Sequence, residues 1–219
     1  MKLCIYGMGG FGKEVFDIAS RINKENSYWD DIFFMVDDLD TNVEAYKTKL
    51  YSVKDVFKEY DTNLFEVIIA VGEPKTRKML FNKVRQKGAK LATLIDPSAI
   101  ISDTAIINKG TIVAPLSIVA CSTILGQNTV VNTHSTIGHD IVIGDHSSIS
   151  SHVTVGGSSV IGEESYVGLG SQIKEQTKIG SKVIVGMGSI VYSDMPDRVI
   201  ALGNPARVTR KNDDGLVFK

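Results

Sequence analysis

The sequence contains little cysteine, tryptophan or proline, with 2 Cys, 1 Trp and 5 Pro among 219 residues. Because Cys4 and Cys121 lie in different segments without metal-like spacing, they predict neither a disulfide framework nor a metal site. The formal net charge is −1, without a concentrated run of Lys or Arg, which gives no electrostatic reason to expect nucleic acid or an acidic membrane surface as a partner. Nothing approaches the roughly 20 apolar residues that span a bilayer, and the first apolar run is too short for a signal peptide. We therefore expect a cytoplasmic protein.

The composition changes near residue 95, which predicts two domains. Nearly all aromatic residues, including Trp29, precede this point, whereas short apolar residues, Gly, Ser and Thr dominate after it. A chain of this length can bury a substantial core in one domain or in two. We place an α/β domain at residues 1–95 and an all-β domain with a C-terminal tail at residues 96–219.

Apolar residues recur every six positions through most of the second domain. With one seven-residue step, the series consists of Ile100, Ile106, Ile112, Ile118, Ile124 and Val130, then Ile137, Ile143, Ile149, Val155, Ile161, Val167, Ile173, Ile179, Val185 and Val191. A six-residue period fits neither a helical turn nor simple strand alternation, but it is typical of a parallel β-helix with short strands. We expect the series to point inward and the Gly or Ser that often follows to occupy corners with unusual backbone angles. The seven-residue step directly precedes His139 and Asp140, and we interpret this coincidence as the mark of the functional site.

The first domain shows alternating strand and helix patterns. Strands are predicted at residues 3–6, 32–36, 67–71 and 91–95, and helices after Gly12, at residues 53–60 and at residues 76–86. This alternation favours a small parallel sheet.

Gly7, Gly9 and Gly12 form a G-x-G-x-x-G pattern between the first strand and the first helix. In that context, glycines let the backbone approach a phosphate, and the helix N-terminus supplies free N–H groups. Asp37 and Asp38 follow the second strand, where an acidic residue would meet a ribose or a base. Because about 95 residues supply only half of a dinucleotide fold, a mononucleotide or a sugar attached to one is favoured over NAD. The alternative is that the glycines only allow close helix packing and the aspartates form a solvated turn.

The motifs together resemble a known family. The hexad coil ends in Gly203-Asn204-Pro205-Ala206-Arg207, contains His139-Asp140, and follows a domain with Gly7–Gly12, Asp37-Asp38 and Ile69-Ala70-Val71-Gly72. This combination, over nearly the whole chain, is similar to bacterial sugar acetyltransferases of the sialic acid O-acetyltransferase type, which include N-acetyltransferases of nucleotide-linked 4-amino sugars. The resemblance implies a left-handed β-helix, acetyl-CoA as co-substrate, a homotrimer with active sites between subunits, and a role in polysaccharide or O-antigen biosynthesis.

The resemblance also implies roles for individual residues. The positions expected to bind the nucleotide-linked sugar are Gly9, Gly10, Phe11, Asp37, Asp38, Gly72 and Lys75. Those expected to bind acetyl-CoA are Ser148, Leu169 and Met187. Relatives commonly carry a histidine where this chain has Ser148, and His146 or His152 could replace it. From its charge alone, Arg207 could also meet an anionic cofactor.

His139 matches the family's general base and Asp140 its acidic neighbour. An imidazole suits proton abstraction at neutral pH, and a nearby carboxylate raises its basicity. Adjacent side chains on a strand point to opposite faces, so Asp140 can help only if the backbone bends there or if it acts across a subunit interface. The predicted reaction is direct acetyl transfer from acetyl-CoA to the amino group of a UDP- or dTDP-linked 4-amino-4,6-dideoxy sugar, without a metal.

Three alternatives stay open. The chain could be an O-acetyltransferase acting on a sugar or on sialic acid. It could be a non-catalytic trimeric β-helix that serves as a scaffold or binding module. A zinc site is the third, because His134 and His139 are five residues apart, although such sites need a further ligand and no histidine precedes His134.

Overall fold

The N-terminal part of the protein is a small parallel sheet flanked by helices. The structure is a computed structural model that describes residues 1–39 and 46–217. The strands are β1 Lys2–Tyr6, β2 Asp31–Val36, β3 Leu50–Ser52, β4 Phe65–Ile69 and β5 Lys90–Leu91, paired in parallel in the order β3-β2-β1-β4-β5. The helices are α1 Gly10–Asn26, α2 Val53–Glu59 and α3 Pro74–Gln86. The glycine loop therefore lies at the carboxyl end of β1, as predicted.

Two features of this sheet differ from the prediction. The short strand β3 was not predicted, and the last predicted strand is divided between two sheets. Lys90–Leu91 pairs with β4, whereas Leu94–Ile95 (β6) pairs with Ile112–Val113 in the coil. An apolar segment of this length does not reveal where a chain changes its pairing partner. The prediction that Leu94 and Ile95 belong to the N-terminal sheet is therefore wrong, and they form the first strand of the coil.

The rest of the chain forms a parallel β-helix of two-residue strands. Face 1 is built from β6 (Leu94–Ile95), β9 (Ile112–Val113), β12 (Val130–Val131), β15 (Ser148–Ile149), β18 (Tyr166–Val167) and β21 (Ile184–Val185). Face 2 is built from β7 (Ile100–Ile101), β10 (Ile118–Val119), β13 (Thr136–Ile137), β16 (Thr154–Val155), β19 (Gln172–Ile173) and β22 (Ile190–Val191). Face 3 is built from β8 (Ile106–Ile107), β11 (Ile124–Leu125), β14 (Val142–Ile143), β17 (Val160–Ile161) and β20 (Lys178–Ile179).

Only the second residue of each two-residue strand points into the coil, and this corrects the predicted series. The inward residues of the early coils are Ile101, Ile107, Val113, Val119, Leu125 and Val131, and the next is Ile137. This series keeps a six-residue period, so the seven-residue step does not exist. The early hexads carry Ile or Val at both strand positions, and periodicity alone cannot tell which one faces inward. The repeat therefore does not mark His139.

The outward residues of the early strands depend on what covers them. Ile112 and Val130 on face 1 are buried because the N-terminal domain packs there, in a cluster that includes Val15 and Ile18 of α1. On face 3, the equivalent side chains of Ile106 and Ile124 are exposed. Helix α1 thus lies between the sheet and face 1, which places the glycine loop against the coil.

The prediction of unusual backbone angles at the corner glycines was wrong by two residues. Gly138 and Gly144 do not have positive φ, whereas Asp140 and His146, two residues later, have φ of 56° and 63°. The glycines are needed for space, since a Cβ on Gly144 would lie 2.5 Å from the backbone nitrogen of Glu163 in the next coil. Side chains at the left-handed positions project from the edges of the coil.

The C-terminal tail closes face 1. Strand β23 (Val199–Gly203) pairs in parallel with β21, and β24 (Ala206–Lys211) pairs antiparallel with β23. Within residues 1–39 and 46–217, no helix is both long and apolar enough to cross a lipid bilayer.

Candidate active site

The three motif glycines of the loop between β1 and α1 have different roles. Gly7 has φ of 111° and lies close to Ala70, so it is required by the turn. A Cβ on Gly12 would collide with the Gly7 carbonyl, so Gly12 is required by close packing. A Cβ on Gly9 or Gly10 would meet no atom within 4 Å. The packing alternative therefore explains Gly7 and Gly12, whereas Gly9 and Gly10 leave open space at the N-terminus of α1.

This open space belongs to a cavity of about 270 Å³ between the N-terminal domain and face 1. Its lining from the N-terminal domain is Gly10, Phe11, Glu14 and Gly72, and its lining from the coil is Val130, Asn132, Ser148, Ile149, Ser150 and Tyr166. Free N–H groups at a helix N-terminus favour an anionic group such as a phosphate. We call this space the glycine-loop cavity.

Ser148 lies in the glycine-loop cavity and not in a separate groove. Its hydroxyl donates a 3.4 Å hydrogen bond to the carbonyl of Gly72, and the side chain is buried. The structure thus brings Gly10, Phe11, Gly72 and Ser148 together, although the resemblance assigned Ser148 to a different ligand from the other three.

Arg77 on α3, which the sequence reasoning missed, joins the Gly72 loop to the coil. Its guanidinium is fully buried and donates hydrogen bonds to backbone carbonyls of Val71, Gly72, Asn128, His146 and Ser147. Burial lowers the pKa of Arg77 to about 9, and the charge of the nearby Glu73 opposes this shift. A signal existed, because an arginine on the apolar face of a predicted helix needs an internal partner.

His146 is part of the same buried interface. Its ring packs edge-on against Phe81, and its Nδ1 accepts a 2.9 Å hydrogen bond from the amide of Asn128. Burial lowers the pKa of His146 to about 4, so the ring is neutral at physiological pH. These contacts hold the ring in the interface, so His146 does not replace the histidine that relatives carry at position 148.

His152 lies elsewhere as well. Its ring stacks on that of His134, with ring centroids 4.9 Å apart, at the edge between faces 1 and 2.

Asp37 and Asp38 lie at the carboxyl end of β2, outside the lining of the glycine-loop cavity. Asp37 accepts a 2.6 Å hydrogen bond from the hydroxyl of Tyr6 and forms an ion pair with Lys83. Partial burial pushes the pKa of Asp37 upward, but the hydrogen bonds from Lys83 and Tyr6 outweigh it and the pKa is lowered. Burial and the Asp37 carboxylate raise the pKa of Tyr6. Asp38 is exposed.

Lys75 is engaged away from the glycine-loop cavity. Its ammonium group donates a 2.8 Å hydrogen bond to the carbonyl of Asp214 in the C-terminal tail. It lines a separate small cavity of about 110 Å³ with Glu164, Lys182 and other residues of the tail region. The structure therefore places Lys75 and Gly72 in the linings of two different cavities.

The remaining residues assigned to acetyl-CoA are exposed. Leu169 and Met187 lie in successive coils at the edge between faces 1 and 2, where the N–H of Gly188 donates to the carbonyl of Leu169. Arg207 lies on β24, and its guanidinium donates to the carbonyl of Ala206.

His139 and Asp140 form a hydrogen-bonded pair at the edge between faces 2 and 3. The positive φ of Asp140 bends the backbone, so that its carboxylate reaches the Nδ1 of His139 at 2.7 Å. Asp140 can therefore act on His139 of the same chain, because the backbone bend puts both side chains on the same side of the coil edge. An ionised carboxylate can only accept, so Nδ1 carries the proton and Nε2 keeps its lone pair. Both side chains are exposed, which leaves Nε2 accessible to a substrate.

The His139 edge and the glycine-loop cavity lie on opposite sides of the coil. The cavity is on face 1, whereas the edge between faces 2 and 3 is the corner of the triangular coil opposite that face. The same topology separates His139 from His134, which lies at the edge between faces 1 and 2. Among the described residues, no group of three or more His, Cys, Asp and Glu side chains is arranged to hold a metal ion.

Comparison with known proteins bears on both parts of the chain. A family model described as the PglD N-terminal domain matches residues 2–84, and one described as bacterial transferase hexapeptide (six repeats) matches residues 122–157. The acetyltransferase domain of PglB from Neisseria gonorrhoeae is 30% identical with a TM-score of 0.88, and the match covers 95% of this chain and 99% of that one. A structure of that domain in complex with acetyl coenzyme A matches equally well.

Two further structures share the architecture. WeeI from Acinetobacter baumannii is 25% identical with a TM-score of 0.87, over 95% of this chain and 100% of that one. A histidine-to-asparagine mutant of perosamine N-acetyltransferase from Caulobacter crescentus, in complex with CoA and GDP-perosamine, is 22% identical with a TM-score of 0.87, over 95% and 97% of the two chains, and it supports the fold alone.

These matches confirm the predicted fold, a small parallel sheet followed by a left-handed parallel β-helix. The match to the PglB domain covers nearly the full length of both chains, so it spans the N-terminal sheet as well as the coil. The chain therefore belongs to the family of hexapeptide-repeat sugar acetyltransferases represented by the acetyltransferase domain of PglB, and it is an acetyltransferase.

Proposed function

We propose that this protein transfers the acetyl group of acetyl-CoA to the amino group of a UDP- or dTDP-linked 4-amino-4,6-dideoxy sugar. The observation that carries the proposal is the glycine-loop cavity, which opens at the N-terminus of α1 between a nucleotide-type sheet and the coil. Its donors suit a phosphate-bearing ligand. The complex of the PglB domain with acetyl coenzyme A supports the same acetyl donor for this chain.

His139 is the general base in this proposal. The sugar amine forms a bond to the acetyl carbon, the thioester C–S bond breaks, and the amine proton passes to Nε2 of His139 and then to the departing thiolate. Asp140 keeps the proton on Nδ1, so that Nε2 presents its lone pair to the amine. No covalent acyl-enzyme is needed, since both substrates can bind together and react directly.

The topology supports an active site made by two subunits. Within one chain, His139 is on the corner of the coil opposite the glycine-loop cavity. A second copy that packs beside the first can bring its own His139 edge to that cavity. We therefore propose a cyclic homotrimer in which each site combines the glycine loop of one subunit with the histidine of its neighbour.

The exposed side chains of face 3 support such packing. Ile106, Ile124, Val142 and Val160 are the outward residues of four consecutive strands on this face, and all are exposed in the single chain. A continuous row of aliphatic side chains is typical of a surface that a partner covers. A second copy of the chain is the partner that the two-subunit site requires.

The reaction can be tested by thiol release. The protein is incubated with acetyl-CoA and a panel of UDP-, dTDP- and GDP-linked 4-amino-4,6-dideoxy sugars, the corresponding 4-hydroxy sugars and free sialic acid, and free thiol is followed with a chromogenic disulfide. We expect release with a UDP- or dTDP-linked amino sugar and a product heavier by one acetyl group. Release with only 4-hydroxy sugars or free sialic acid would overturn the proposal in favour of O-acetylation. Binding of acetyl-CoA without release by any member would favour a binding module.

The two-subunit site can be tested by mixing inactive variants. Gly10→Trp should fill the glycine-loop cavity, and His139→Ala should remove the base. After unfolding and refolding at equal amounts, random mixing should restore about a quarter of the sites, since each site needs one intact residue from each kind of subunit. No recovery from a refolded mixture that assembles as trimers would contradict a shared site.

A further inference from the structure

Gly157 lies directly against the ring of His139, one coil further along the chain. If a Cβ is placed on Gly157, its three nearest atoms all belong to the His139 imidazole, with Cε1 and Nε2 at 2.6 Å and Cδ2 at 3.0 Å. Gly157 does not have positive φ, so backbone conformation does not explain this glycine. The missing Cβ instead leaves the space in which the imidazole ring lies.

Other corner glycines of the coil face something different. A Cβ on Gly144 or Gly162 would meet the backbone of the next coil, which cannot move without disturbing the β-helix. At Gly157 the obstacle is the end of an exposed, rotatable side chain. Substitution at this position should therefore displace His139 and leave the coil intact.

We propose that Gly157 is a positioning residue, and that the absence of a side chain there sets the orientation in which His139 presents Nε2. This inference rests on the proposed function, because it concerns the residue assigned as the general base. The His139 ring is fixed on one side by the Asp140 carboxylate and on the other by the flat surface of Gly157. A methyl group at position 157 would turn the ring away, and the ring could not keep both the 2.7 Å hydrogen bond and its present plane.

Gly157→Ala tests this role. We expect kcat to fall about 10- to 100-fold, because small displacements of a reacting group are costly, while the KM values for acetyl-CoA and for the amino sugar change little. Alanine keeps the backbone N–H at position 157, so a loss of turnover cannot come from loss of that donor. Gly88→Ala is the control. Unlike a Cβ on Gly157, a Cβ on Gly88 meets no atom within 4 Å, but Gly88 has φ of 77° at the end of α3, so the strain of alanine there should lower stability without lowering kcat.

A double-mutant cycle separates positioning from general damage. In the His139→Ala background, the ring that supplies the three atoms nearest to the new methyl group is gone. Gly157→Ala should then change neither the residual turnover nor the melting temperature relative to His139→Ala alone. In the wild-type background, ¹⁵N NMR of the imidazoles should show a change at His139, with the signals of His134, His146 and His152 unaltered.

The outcomes distinguish the role of His139 as general base from the role of Gly157 in positioning it. If His139→Ala keeps wild-type turnover, the assigned base is wrong and the role of Gly157 falls with it. If His139→Ala is inactive but Gly157→Ala turns over like the wild type, only the positioning inference is overturned. An additive loss of stability or turnover in the double variant would also overturn it, since it would show an effect that does not pass through the His139 ring.

Discussion

Face 1 and face 3 of the coil are built from the same hexad, but they have become different surfaces. On face 1, the outward residues Ile112 and Val130 are buried under the N-terminal domain, with exposed fractions of 0% and 4%. On face 3, Ile106 and Ile124 occupy the equivalent positions and are 54% and 36% exposed. The position within each two-residue strand thus determines whether a side chain points inward or outward, and the element that covers a face determines whether the outward side chain is buried.

The histidines near these faces show the same difference. His146 lies where α3 meets the coil, and its ring is buried against Phe81 and bonded to Asn128. His139 lies on the uncovered edge between faces 2 and 3, with only Asp140 as a hydrogen-bonding partner of its ring among the described residues. A buried, neutral and fixed imidazole contributes to stability, whereas an exposed and oriented imidazole is available for proton transfer. Substitutions can test this contrast.

The largest effect is expected for His139→Ala. Removal of a general base commonly costs 10²- to 10⁴-fold in rate, so turnover should fall by about that factor. The melting temperature should stay close to that of the wild type, because the side chain is 60% exposed. His146→Ala is the matched comparison and should lower the melting temperature instead. Equal losses of turnover at unchanged stability in both variants would erase the distinction between the two histidines.

Arg77→Met should produce the largest loss of stability on face 1. The substitution keeps most of the apolar stem but removes the guanidinium from five carbonyls. Those of Gly72 and Ser147 keep a second donor, the Ser148 hydroxyl and the Val130 N–H, whereas those of residues 71, 128 and 146 depend on Arg77. Each unsatisfied buried carbonyl is costly, so the free energy of unfolding should decrease by roughly 3 kcal/mol or more in urea titrations. Arg85→Met on the exposed side of the same helix should change it by less than about 0.5 kcal/mol. A wild-type midpoint for Arg77→Met would show that water replaces the guanidinium.

Much of this contrast could not be predicted from the sequence. The period of six was sufficient for the β-helix, because hydrophobic residues must recur wherever two-residue strands stack. It was insufficient for the inward residue, since Ile100 and Ile101 are equally apolar and only the folded chain separates them. The glycine loop could be predicted because Gly7 and Gly12 are required locally, one by a positive φ and the other by close packing. The place of Arg77 on the apolar face of a predicted helix indicated that it needs a buried partner, but its partners are backbone carbonyls, which have no sequence signature.

The distance between His139 and the glycine-loop cavity could not be predicted either. Both motifs are visible in the sequence, but their relation depends on which of three faces each one occupies. That assignment follows from the start of the first coil at Leu94, inside a segment that looks like part of the N-terminal sheet. The contact between Asp140 and His139 could not be predicted for a similar reason. It depends on a left-handed φ at Asp140, and this position carries neither glycine nor asparagine, the residues that most often indicate such a conformation.

The pH dependence of stability should report on the buried histidine. The pKa of His146 is about 4 in the folded protein, below its ordinary value of about 6.5. Between these values the unfolded chain binds a proton that the folded protein does not, so stability is fully present above pH 6.5 and decreases as the pH falls toward 4. This one group should contribute a slope of roughly 1.4 kcal/mol per pH unit within that window. His146→Asn should reduce the slope, and His152→Asn on the exposed edge is the variant with which it is compared. An unchanged slope in His146→Asn would place the titrating group elsewhere.

The smallest expected effect tests whether a second subunit covers face 3. Ile112→Val and Ile124→Val each remove one methylene, and at a buried site this costs about 0.5–1.5 kcal/mol. In an isolated chain, the free energy of unfolding should decrease by this amount for Ile112→Val, because Ile112 is fully buried. For Ile124→Val the decrease should be only a small fraction of it, because Ile124 is exposed. If face 3 packs against another copy, the two costs should be similar, and that of Ile124→Val should shrink on dilution as subunits dissociate. Urea titrations at two protein concentrations measure both. A negligible, concentration-independent cost for Ile124→Val would mean that face 3 is open to solvent in the assembled protein, and the neighbouring histidine would have to reach the glycine-loop cavity through a different packing.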